Sequence, residues 1–124
     1  MMEYRRLGRT GLEVSALGYG AARGNTDTPQ QMIAAYHAAI DAGINFFDTA
    51  TGYDNGDSER VLGEALLGHP DVLVETKYCP YDTYLPDANY VGSPDALIVS
   101  AEESLRRLNR DRLVGHLYLD QLSP

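Results

Sequence analysis

Asp48, Tyr53 and Lys77 are the side chains of this 124-residue sequence whose types and spacing form an acid–base set. Asp48 closes the apolar run 44–48, and Lys77 closes the apolar run 72–77. Tyr53 follows Asp48 in a segment with Gly52 and Gly56 on either side. If both runs are parallel strands, their carboxyl ends share one rim, which is where α/β sheets carry their chemistry. An ammonium beside a phenol favours the ionised phenol, and a carboxylate keeps the lysine charged and oriented. A tyrosine so tuned can give its proton to a carbonyl oxygen as hydride arrives at carbon. Each residue also has a plainer reading. A lone aspartate at a strand end often caps a helix or bonds a loop, Lys77 alone reads as a solvated strand terminus, and Tyr53 is one of nine tyrosines.

The elements that must position these groups follow from the patterning. Residues 3–15 read as a small hairpin turning at Gly8 to Gly11. The run 15–20 ends in glycine and reads as a first buried strand. Thr28, Pro29 and Gln31 mark a helix start, with threonine as cap, proline in the first turn and glutamine placed to reach back. Met32, Ile33, Tyr36, Ala39 and Ile40 recur at helical spacing, and Gly43 stops the helix. The second strand is 44–48. Asp57 is the expected cap of a helix whose apolar face is Val61, Leu62, Ala65 and Leu66. After the third strand, 72–77, comes a loop over 78–92. Ser93, Pro94 and Asp95 start a helix with Leu97, Ile98, Ala101, Leu105 and Leu108 on one face, and 113–119 is the fourth strand.

A hairpin followed by β-α-β-α-β-α-β implies right-handed crossovers and a parallel sheet in an α/β fold. The strand runs are close to continuously apolar, as parallel strands covered on both faces require. Four such strands are half of an eight-stranded (β/α) barrel, which typically takes about 250 residues. Residues 1–124 are therefore expected to form a single half-barrel domain, an amino-terminal hairpin plus four parallel strands and three crossover helices.

Ten Lys and Arg against 18 Asp and Glu give a formal charge of −8, which opposes phosphate backbones and anionic lipid. Nucleic acid and membrane are thus not expected as partners. No apolar run approaches the roughly 20 residues of a membrane helix, and no signal-peptide pattern opens the chain. Cys79 is the single cysteine, which excludes an internal disulfide, and no recognised spacing assembles a metal site. The cytoplasm is the expected compartment. Cys79 near Lys77 has the neighbour that lowers a thiol pKa, but no histidine stands near it in sequence for a nucleophilic role. His37 and His69 read as surface residues. Tyr78, Tyr81, Tyr84 and Tyr90 either line a cleft or pack the 78–92 loop.

Several motifs resemble the aldo-keto reductases: residues 4–20 (YRRLGRTGLEVSALGYG), residues 38–50 (AAIDAGINFFDTA) with Tyr53, Ser58 with Glu59, residues 62–66 (LGEAL), Glu75 to Lys77, and residues 104–108 (SLRRL). The resemblance covers nearly the whole sequence. It implies a TIM-type barrel whose opening hairpin plugs the amino-terminal end. It also implies metal-free reduction of aldehydes or ketones by a nicotinamide cofactor, usually NADPH. By the same resemblance Tyr53 matches the proton donor, Asp48 and Lys77 match the partners that tune it, and Gly20 with Ala21 matches the backbone beside the nicotinamide.

Two departures stand out. The family closes its fourth strand with a histidine that orients the substrate carbonyl. Here that position falls on Leu119, or on Asp120 with a one-residue insertion, while His116 stands earlier and reads as a strand or surface residue. The tetrad is therefore expected to be a triad. Most cofactor contacts in the family also come from the carboxyl-terminal half, and these residues show neither those segments nor a G-x-G-x-x-G or P-loop substitute.

An open half-barrel leaves edge strands unpaired and an apolar inner face uncovered. At ~25 cal/mol per Å², several hundred Å² of lost burial is on the order of 10 kcal/mol, comparable to a whole domain's stability. A homo-oligomer joined through that face is the expected state. Small carbonyl compounds are the expected substrates. The alternatives on the same scaffold are a binding or regulatory subunit, or cofactor-free ester or lactone hydrolysis.

Overall fold

The computed structural model describes residues 1–22, 27–79 and 93–118. Among these, β1 (Tyr4–Arg6) and β2 (Glu13–Ser15) pair antiparallel as a hairpin. The main sheet runs β3 (Tyr19–Gly20), β4 (Phe46–Asp48), β5 (Leu73–Tyr78), β6 (Gly115–Tyr118), all parallel and in chain order. The helices α1 (Pro29–Asp41), α2 (Asp57–Ala65) and α3 (Pro94–Leu108) alternate with these strands.

The expected order holds, with shifted boundaries. The first parallel strand shrinks from 15–20 to Tyr19–Gly20, because Ser15 is the last residue of the hairpin and is taken by a side chain. Asn45 accepts from the Ser15 amide through Oδ1 at 2.7 Å and donates through Nδ2 to the Glu13 carbonyl at 2.9 Å. The Tyr4 hydroxyl donates to the Gly43 carbonyl at 2.8 Å, so the hairpin is fastened just before β4, at the amino end of the sheet. Gly43 has φ +93°, and a Cβ there would stand 2.9 Å from Met2 Cβ, so this close approach requires glycine. Most of the 78–92 loop and everything after Tyr118 lie outside the described residues.

Helix α1 starts as its sequence dictates. Thr28 Oγ1 accepts from the Gln31 amide, and Gln31 Oε1 accepts from the Thr28 amide, a complete capping box. Helix α2 departs from expectation, since its N-cap is Gly56 with φ +83° and no side-chain bond, while Asp57 is the first helical residue. There Asp57 and Glu59 place negative charge in the first turn, where the helix dipole favours it.

Of the face expected for helix α3, Leu108 is buried and Leu97, Ala101 and Leu105 are half-buried, and the buried line is shifted from it. The helix's buried residues are Ala96, Ser100, Ser104 and Leu108, and Ile98 is 56% exposed. The reason is close packing on α2: a Cβ on Gly63 would lie 2.5 Å from the Arg107 carbonyl oxygen and 2.7 Å from Leu108 Cα. Helices this close need small residues at the contact, and the bulky ones turn to the flanks.

The core lies between the sheet and the helices. Met32, Tyr36 and Ala39 of α1 join Phe47, Val74, Val61, Leu62, Ala65 and Leu108 in one cluster. Tyr19 stacks on Phe47 with ring centroids 5.4 Å apart and meets the edge of Tyr36 at the same distance. Strand alternation therefore gives one helix-covered face, which holds Phe47 and Val74, and one open face. The register row Gly20, Asp48, Glu75, Gly115 lies on the open face.

Candidate active site

Asp48 and Lys77 stand on that open face at the carboxyl ends of neighbouring strands. Lys77 Nζ donates to both carboxylate oxygens of Asp48, at 2.5 Å to Oδ2, and to the Thr49 carbonyl oxygen at 2.7 Å. The lysine side chain is 14% exposed and the aspartate 33%, so this ion pair sits half inside the rim. Its ammonium lies 5.1 Å from the centre of the Tyr53 ring. The three groups chosen from the sequence therefore share one place, although 29 residues separate Asp48 from Lys77.

The backbone holds them by continuing the sheet past its strands. The Thr49 amide donates to the Glu75 carbonyl at 2.9 Å, and the Thr51 amide donates to the Lys77 carbonyl at 3.2 Å. The chain then turns through Tyr53–Gly56, where Asp54, Asn55 and Gly56 have φ of +53°, +54° and +83°. Three consecutive left-handed residues present Tyr53 and turn the chain into α2. Gly20 is exposed beside Asp48, and a Cβ added to it would meet nothing within 4 Å. Ala21 is fully buried. Its carbonyl accepts from the Ser58 hydroxyl at 2.5 Å and the Tyr36 hydroxyl at 3.2 Å. Burial first, then nearby Tyr19, pushes the Tyr36 phenol above its usual range and keeps it a neutral donor. Ala21 thus belongs to the framework under the rim, and Gly20 to its open side.

Glu75 is the group that sequence reasoning left inside a motif. It shares the register row with Asp48 and is half-buried on the same face. Burial raises its pKa, the Asp48 charge raises it further, and Lys77 opposes both. The alternation of 75 and 77 along one strand was the signal for it, but only the register shows that Asp48 is its neighbour.

His116 is a strand histidine. It pairs in register with Thr76, on the helix-covered face, and its Nε2 lies 3.4 Å from the Ser100 hydroxyl of α3. Burial lowers its pKa. It therefore faces away from the Asp48–Lys77 rim, and Leu119 and Asp120 lie outside the described residues. Cys79 and Tyr78 follow Lys77; the Tyr78 side chain is fully buried. Among the described residues, a concavity of about 120 Å³ reaches the rim at Gly20, with Tyr19, Gln31 and Tyr36 in its lining. Another, of about 380 Å³, is lined by Tyr4, Gly43, Asn45, His69 and Asp71 at the amino end of the sheet.

The aldo/keto reductase family model matches residues 16–122. Over 116 residues the sequence is 38% identical to a 6-dehydroglucose reductase of Novosphingobium aromaticivorans, covering 87% of this chain and 38% of that protein. Over 82 residues it is 46% identical to a probable voltage-gated potassium channel subunit beta of Oryza sativa subsp. japonica, covering 61% of this chain and 25% of that protein. Its fold superposes on an aldo-keto reductase of Bacillus halodurans in its holo form with a TM-score of 0.82 at 29% identity, covering 95% of this chain and 40% of that one. The chain spans about two fifths or less of these relatives, and its four strands and three helices are half of a TIM-type barrel. With its family motifs spread along the sequence and its acid–base groups gathered at the carboxyl rim of that half-barrel, this chain belongs to the aldo/keto reductase family.

Proposed function

We propose that this rim serves the NADPH-dependent reduction of small aldehydes or ketones, with Tyr53 as proton donor. The observation that carries the reading is the Lys77 ammonium, held by Asp48 and the Thr49 carbonyl and 5.1 Å from the Tyr53 ring centre. The described residues fit the nicotinamide end of the cofactor. Gly20 leaves open space beside Asp48 where a flat ring can lie against the strand. Lys77, the cation at this rim, is committed to Asp48, so the described residues supply no cradle for the phosphates.

When bound, the cofactor supplies the hydride that the carbonyl carbon takes up. As the carbonyl π pair moves onto oxygen, the Tyr53 phenol transfers its proton there and the product is an alcohol. Lys77 stabilises the tyrosinate left behind, and Asp48 with the Thr49 carbonyl fixes the ammonium so that it does not reorganise during the transfer. Solvent then returns the proton to Tyr53.

Fluorescence titration with NADPH, followed by turnover of small carbonyl compounds, tests the proposal. Micromolar binding and turnover that falls about 10²- to 10⁴-fold in Tyr53→Phe are expected. No binding up to millimolar cofactor overturns it for this chain. The similarity to a channel beta subunit supports a second reading, a binding or regulatory subunit on the same scaffold. A stable protein partner without carbonyl turnover would select that reading. The cytoplasm is the proposed compartment; among the described residues, no helix is long and apolar enough to cross a membrane.

A further inference from the structure

Behind the rim, on the helix-covered side of the sheet, lies an ion pair with no solvent around its carboxylate. Glu59, in the first turn of α2, is 0% exposed, and the Arg107 side chain of α3 is 10% exposed. Glu59 Oε2 accepts from Arg107 Nε at 2.6 Å, and Oε1 accepts from the Thr76 hydroxyl at 2.5 Å. One carboxylate therefore joins α2, α3 and β5. Burying it demands that both oxygens be satisfied, and they are.

Two of its connections end next to the acid–base groups. Thr76 immediately precedes Lys77 on β5. Arg107 also runs beneath the left-handed turn: a Cβ on Gly56 would lie 3.2 Å from Arg107 Cδ and 3.3 Å from its Nε. Gly56 is itself buried, and it ends the left-handed stretch Asp54, Asn55, Gly56 that follows Tyr53. Asp and Asn enter the left-handed region more readily than other non-glycine residues, and here the Arg107 stem closes the space under the turn they form.

We propose that Arg107 and Glu59 are positioning residues for Tyr53 and Lys77, a buried clamp that holds the turn and the strand end at their working separation. The proposal rests on the reading of Tyr53 as proton donor, but it concerns where the phenol sits and is measurable without turnover.

The test uses the full chain with ¹³Cζ-labelled tyrosine, the Tyr53 resonance being assigned by its loss in Tyr53→Phe. Arg107→Lys keeps the charge but removes the planar Nε that bonds Glu59. It is expected to displace the Tyr53 resonance, with the Tyr36 resonance unchanged. Where turnover is measurable, kcat is expected to fall about 10- to 100-fold with KM held. Glu59→Gln, which keeps one acceptor oxygen for Arg107 and replaces the other with an amide nitrogen that can donate to the Thr76 hydroxyl, provides the same readout if Arg107→Lys fails to fold, with a smaller displacement of the same resonance. A Tyr53 resonance unchanged in a folded variant overturns the proposal. Absence of NADPH turnover in the parent chain, with Tyr53 still displaced in the variant, overturns the reductase reading and leaves the clamp standing.

Discussion

Glu75 shows how a single side chain couples the rim to stability. Its carboxyl is raised above its ordinary value of 4.5 by burial and by Asp48. Between that value and the raised one, the folded chain holds more proton than the unfolded chain, so stability falls as pH rises through this window. Glu75→Gln removes the group that must ionise in an unfavourable place. Thermal melts are expected to show a higher Tm for the variant at neutral pH, with the gain vanishing below about pH 4. An equal Tm difference at both pH values would contradict the assignment. The acid–base residues were legible at this scale because Asp48 and Lys77 each stand at or next to the carboxyl end of an apolar run. The neighbours of those residues were not legible. Glu75 beside Asp48, Thr49 as the second acceptor of Lys77, and Glu59 on Arg107 all depend on register or helix packing between distant segments.

At the scale of elements, the contact of α2 on α3 decides more than either helix's own pattern. Alanine is favoured over glycine in a helix by about 1 kcal/mol, which alone would make Gly63→Ala stabilising. Against this, the new Cβ would meet the backbone of Arg107 and Leu108 at 2.5–2.7 Å, and backbone cannot swing aside as a side chain does. Overpacking of this kind costs about 1–3 kcal/mol, so urea denaturation of Gly63→Ala is expected to show net destabilisation. A gain in stability would mean that the helices separate easily. The same contact explains the shifted face of α3. A hydrophobic count points to Leu97, Ile98 and Leu105, but the helix sits on its small residues because it approaches so closely. The Thr28–Gln31 box was readable because capping is local: donor and acceptor lie in the same four residues. At Gly56 the cap was not readable, because a left-handed turn and the Arg107 stem hold the chain there instead of a side-chain oxygen.

For the molecule as a whole, the open face is the dominant feature. It carries Asp48, Glu75 and Lys77 together with Leu117, which is 48% exposed although it lies mid-strand in register with Lys77. Among the described residues the outer edges of β3 and β6 have no strand beside them. We propose that a second copy of this 124-residue chain covers this face. Light scattering at micromolar concentration is expected to return a dimer or larger, and Leu117→Asp is expected to shift it toward monomer. A compact monomer of the parent chain ends the proposal.

The sequence by itself determined the order of elements, the parallel sheet and the approximate course of its strands. These follow from local properties: alternating apolar runs, caps, glycine stops and the short right-handed connections open to such a chain. Only the tertiary structure decided which groups meet. The row Gly20–Asp48–Glu75, the turning of His116 toward α3, and the Glu59–Arg107 clamp behind Tyr53 arise from strand register and helix approach. A one-residue slip in register exchanges the two faces of a strand, so no local pattern carries that information.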